Sequence, residues 1–139
     1  MKSRTLKEWI QLYEKKTGTK FEPNPRGTIM FYPERGFAEI GSTKDMVIIG
    51  QLSGDAKFWK QTAEVMAKER RITHLGTWCI RNIKAYMKFF GAEIERIEDA
   101  GEGYERYHCR LKDTGKPALF SPTAINSAGN VVYMVTWEI

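Results

Sequence analysis

Apolar positions along the chain alternate between a helical and an extended period. In residues 5–17, Leu6, Trp9, Ile10 and Tyr13 fall at i, i+3, i+4 and i+7, the apolar face of a helix. Thr5 has capping-box spacing to Glu8, and Gly18 is placed to end the helix. Residues 21–27 contain two prolines and a glycine and read as a loop. Residues 28–32 and 37–40 are rich in β-branched and aromatic side chains and predict two antiparallel strands around a turn at Pro33 to Gly36. Residues 46–49 are apolar throughout, as in a central strand covered on both faces.

A tight polar turn, Gln51 to Ala56, then leads into a helix from Ala56 to about Arg71. Trp59, Ala63 and Met66 form its predicted inner stripe, flanked by Phe58, Thr62 and Val65. Residues 74–80 read as a strand and 81–90 as a helix, with Ile83, Tyr86, Met87 and Phe90 inward and Gly91 ending it. Residues 92–98 and 104–111 predict a hairpin, 113–130 a polar loop with Pro117 and Pro122, and 131–137 a last strand. The basic helix crosses between residues 46–49 and 74–80, which predicts that those strands are parallel neighbours. The expected class is α+β: a single domain over 1–139, with a mixed, mostly antiparallel sheet of six to seven strands flanked by three helices. Within it, 1–27 form an N-terminal helix and loop, and 113–139 an extra C-terminal loop and strand.

Composition narrows the function classes. No apolar run approaches the ~18 residues of a membrane span, and the charged N-terminus lacks a signal-peptide segment. With two cysteines, Cys79 and Cys109, the expectation is a reduced, cytoplasmic protein without a membrane partner. The net charge of +5 is uneven. Residues 57–88 carry eight Lys/Arg against two Glu, and residues 91–113 seven Asp/Glu against four Lys/Arg. The basic stretch suits either a solvated helix face or a phosphate-bearing ligand; nucleic acid is the least favoured partner. Two histidines and no Cys-x-x-Cys give no metal signature, and Ser53 has no histidine placed to activate it. The four tryptophans, Trp9, Trp59, Trp78 and Trp137, are expected in the core.

A strand feeding through a glycine turn into a helix N-terminus makes an anion site, because the first-turn N–H groups lack intrahelical partners. Gln51-x-x-Gly54-x-Ala56 resembles the pyrophosphate loop of the GCN5-related N-acetyltransferase (GNAT) superfamily. Asn82-x-x-Ala85, after the next strand and before Gly91, is similar to the helix opening of that superfamily. The resemblance implies a GNAT-like fold, an acetyl-CoA or other acyl-CoA cofactor and an amine acceptor. It implies that Gln51, Leu52, Ser53, Gly54, Asp55, Ala56 and Lys57 hold the diphosphate. Backbone groups of Val47, Ile48 and Ile49, with Asn82 and Ala85, would line the pantetheine arm. Phe89 stands where the family often has its general-acid tyrosine, so Tyr86, one turn earlier, is the candidate acid, and Glu39 the candidate base for the amine.

The pairing of Leu52-Ser53-Gly54-x-Ala56-Lys57 with Asn82 and an aromatic helix into Gly91-Ala92 resembles the gene 13 family of internal virion proteins in short-tailed, Teseptimavirus-type phages. That likeness covers about residues 28–112 and implies a virion-associated or host-directed role with phage or host protein partners. Each candidate also has a plain structural reading. Residues 51–56 can be a helix-opening turn with Asp55 as cap, Asn82 an N-cap, Tyr86 a core residue and Glu39 a surface carboxylate.

Overall fold

The computed structural model describes residues 3–80 and 82–139, which form two compact units, one ending at Thr73 and the other starting at His74. The class is α+β, as the pattern predicts, with three helices and eight strands among the described residues. No helix is long and apolar enough to cross a membrane among those residues.

The first unit opens with helix α1 (Leu6–Thr17), whose N-terminus carries the expected capping box between Thr5 and Glu8. Gly18 caps its end in the left-handed conformation, which costs glycine little. Strands β1 (Gly27–Tyr32), β2 (Gly36–Ser42) and β3 (Met46–Gly54) follow as an antiparallel meander, and helix α2 (Ala56–Glu69) closes the unit. Phe37 of β2 contacts Tyr13 of α1, whereas Tyr32 of β1 contacts Phe58 and Trp59 of α2. Phe37 pairs with Phe31, the residue before Tyr32, and adjacent strand residues face opposite ways, so the two helices cover opposite faces. The inner stripe of α2 is Trp59, Ala63 and Ala67; Val65 is exposed. The stripe thus follows i, i+4, i+8 rather than drifting to Met66.

In place of the expected turn at Gln51 to Ala56, β3 runs on through Gly54. Leu52, Ser53 and Gly54 pair with Ala38, Phe37 and Gly36. The pairing depends on two facing glycines at positive φ, Gly36 at 93° and Gly54 at 108°. A side chain on Gly36 would run into the Ser53 carbonyl, and one on Gly54 into the Arg35 carbonyl. Gly54 therefore serves a close strand contact, a use its sequence neighbours do not reveal.

The second unit holds β4 (His74–Cys79), helix α3 (Ile83–Phe90), β5 (Ala92–Gly101), β6 (Tyr104–Leu111), β7 (Pro117–Ile125) and β8 (Val131–Glu138). Its strand order is β4-β8-β7-β6-β5, all antiparallel. The expected helix start at Arg81 lies outside the described residues; α3 begins after its cap, Asn82. Phe90 packs on Phe120 and Trp137, seating α3 on one face. β7 corrects the polar loop expected over 113–130 and raises the strand number above six to seven. Its prolines disguise an inner strand: Pro117 is the first residue and Pro122 sits at a bulge, the two places where a missing N–H is tolerated. The core expectation holds for Trp9, Trp59 and Trp137, but Trp78 is 44% exposed, on the face of β4 opposite Leu75 and Cys79.

Candidate functional site

The β3–α2 junction is where an anionic ligand was expected. Asp55 caps α2: its carboxylate accepts from the Phe58 N–H at 3.1 Å and from Arg35 Nη1 at 2.6 Å. The Phe58 N–H holds the Asp55 carboxyl below its ordinary range, partial burial opposes this, and Arg35 adds to the lowering. The Asp55 N–H and the Trp59 indole N–H both donate to the Arg35 carbonyl, at 2.9 Å each. The positive end of the helix therefore already holds an anion of its own chain, fixed by a guanidinium. Lys60 turns to Glu64 at 3.0 Å, and Lys57 beside the cap is exposed. Ser53 is buried, Leu52 and Ala56 are half-buried, and Gly54 is spent on the Arg35 contact. Val47, Ile48 and Ile49 use one backbone edge to pair with Ser42, Gly41 and Ile40.

Gln51 points elsewhere. Its amide nitrogen donates to the Glu22 carbonyl at 2.6 Å, and its oxygen accepts from the Glu22 N–H at 3.2 Å. The same nitrogen lies 3.4 Å from Glu39 Oε1. Glu39 itself is 5% exposed, which corrects the surface reading. Glu39 shares a face of β2 with the buried Phe37, and at a bulge in β3 both Gly50 and Gln51 lie opposite it. The flanking strands make room for it with Gly27 and Gly50, where any side chain would crowd the Glu39 carboxyl arm. Its other oxygen accepts from the Asn24 N–H at 2.7 Å. Nearby, burial pushes the Tyr13 hydroxyl upward, a hydrogen bond with Thr19 works against this, and the Glu39 charge adds to the rise. The structure thus brings Gln51 and Glu39 together, while Asp55 faces Arg35.

Asn82, Ala85 and Tyr86 lie in the second unit. Asn82 is the N-cap of α3, its side-chain oxygen accepting from the Lys84 N–H at 3.0 Å. Ala85 is exposed and Tyr86 half-buried on the following turn, with Phe89 exposed at 45%.

The second unit also gathers groups that the sequence leaves scattered. Both histidines, with Glu95, Cys109, Thr136 and Glu138, line a shallow cleft of about 300 Å³. Strand register does this: His74 pairs with Glu138, and His108 with Leu119, which pairs in turn with Thr136. His74 Nε2 is 3.8 Å from Glu138, and His108 Nε2 is shared between Glu98 at 2.8 Å and Arg96 at 3.0 Å. The His108 hydrogen bond, then that of Arg106, lowers the Glu98 carboxyl. Burial, helped by the Glu95 charge, raises the Cys109 thiol to about 11, which makes it a poor nucleophile at neutral pH. Among the described residues no group of three or more His, Cys, Asp or Glu could hold a metal ion. No signal short of the strand register would have found this cleft. No protein-family model, curated protein or solved structure matches the chain.

Proposed function

We propose that this chain is a GNAT-like accessory protein, acting through contacts with other proteins and carrying out no acyl transfer. The observation that carries the reading is the Asp55 carboxylate on the Phe58 N–H, locked by Arg35 where a CoA diphosphate would need an open, positive helix end. Gln51, the first residue of the expected loop, is committed to both backbone groups of Glu22. The resemblance to phage internal virion proteins supports a role in virion assembly or host takeover, with phage or host proteins as partners.

One observation favours a second reading, an acyl-CoA-dependent N-acyltransferase with an amine acceptor. Glu39 is a buried carboxylate, and direct attack by an amine calls for a carboxylate or similar base. Thermal melting with acetyl-CoA separates the two. A binder at a hundredfold excess over its dissociation constant gains about 2.7 kcal/mol. The accessory reading expects no shift at millimolar acetyl-CoA. A saturable rise in melting temperature, reduced by Lys57→Glu at the exposed start of α2, would replace it with the acyltransferase reading.

A further inference from the structure

Residues 21–26 join α1 to β1 and pass over Glu39 and Gln51. Side chains from three elements hold their backbone. Glu14 of α1 accepts from the Phe21 N–H at 2.8 Å. Gln51 of β3 engages both the N–H and the carbonyl of Glu22, and Glu39 of β2 accepts from the Asn24 N–H. Pro23 and Pro25 have no N–H, and the remaining one, on Arg26, goes to Asn24 Oδ1 at 2.9 Å. Every N–H of the segment is therefore taken, three of them by the body of the unit. Phe21 adds an aromatic anchor, edge-on to Tyr13 at 6.2 Å and to the fully buried Phe37 at 5.2 Å.

This is how a bound peptide is held. A primary amide facing one residue's N–H and C=O repeats what a neighbouring strand offers, and an aromatic pocket supplies the apolar contact. Pro23 restricts the backbone just after the anchor and lowers the entropy lost on ordering it. Beyond it Asn24 to Gly27 close a turn, the Gly27 N–H donating to the Asn24 carbonyl at 2.9 Å. The burial of Glu39 fits the same account. A carboxylate this buried is ordinarily matched by a cation, yet among the described residues its hydrogen bonds come from the Asn24 N–H and the Gln51 amide. It is arranged to receive backbone donors.

We propose that Tyr13, Glu14, Phe37, Glu39 and Gln51 form a peptide-binding groove occupied in cis by residues 21–26. Its partner in trans is an extended segment of another protein, with an aromatic anchor and free N–H groups at the anchor and at the first and third positions after it. Because the contacts beyond the anchor are to backbone, the partner's other side chains are loosely specified. The tethered segment competes at the high effective concentration of a short linker, so a partner enters only as the segment opens. The proposal names a partner class for an accessory protein and does not depend on whether acetyl-CoA binds.

The probe is a fluorescent peptide of residues 20–27, titrated by anisotropy. Phe21→Ala, which removes the anchor in cis, is expected to bind it at least about tenfold tighter than the wild type does. Phe21→Ala with Gln51→Ala, or a peptide whose own phenylalanine is replaced by alanine, is expected to lose that binding. A folded Phe21→Ala chain that fails to bind, or binding indifferent to Gln51→Ala, overturns the proposal. Should Phe21→Ala not fold, amide exchange in the wild type gives the answer. The N–H groups of Phe21, Glu22 and Asn24 are expected to share one protection factor, lowered together by Gln51→Ala; unrelated protection factors overturn it.

Discussion

The two units treat their carboxylates in opposite ways. In the first, Glu39 is buried opposite a bulge in β3 and receives a backbone N–H and an amide. In the second, Glu98 lies along an exposed hairpin and meets His108 at 2.8 Å and Arg106 at 3.3 Å. By count of charged partners Glu98 looks the better anchored. Burial reverses that ranking, because water competes for every exposed contact and for none of the buried ones. The first unit therefore ties its chain down with acids, while the second uses them to dress a surface.

The sharpest way to break this contrast is Glu39→Ala. It strands the Asn24 N–H and frees the loop, and should cost roughly 2–3 kcal/mol in a urea titration. A loss under about 1 kcal/mol would mean that the loop is held by Phe21 alone. Next comes Asp55→Ala, which removes the cap of α2 and should cost about 1 kcal/mol. The folded-state carboxyl of Asp55 is depressed, so its contribution is full above the ordinary carboxylate value near pH 4 and fades as pH falls through the lower folded value. The stability gap between wild type and Asp55→Ala should thus narrow in acid. A gap that stays constant from about pH 7 to about pH 2 would separate the cap from its ionisation. The smallest effect belongs to Glu98→Gln. Its melting temperature should match the wild type despite two lost charge contacts, and a clear drop would show that the hairpin charges carry stability after all.

The helices and their ends were legible in the sequence. Thr5 with Glu8, Asn82, and the glycines at 18 and 91 act within a turn of the residues they cap, so neighbours in sequence are neighbours in space. The strands over 28–32, 74–80 and 104–111 were legible for the same reason: alternation and β-branching are local. The candidate site was legible only in pieces. Gln51 and Glu39 could be singled out as residue types, but nothing in the chain said that they meet. The turn read at Gln51 to Ala56 failed because Gly54 faces Gly36 eighteen residues away, and that partner makes strand of what looks like loop. Pro117 and Pro122 hid β7 because their permissible places, strand start and bulge, exist only once β6 and β8 lie alongside.

The sequence by itself determined the class, the three helices and most of the strand segments, since propensity, periodicity and capping are energies of adjacent residues. Tertiary structure alone decided which carboxylate is buried, which tryptophan is exposed and what fills the N-terminus of α2. Those outcomes depend on strand register and on which side chain reaches a given N–H first, and both are set by residues far apart in the chain.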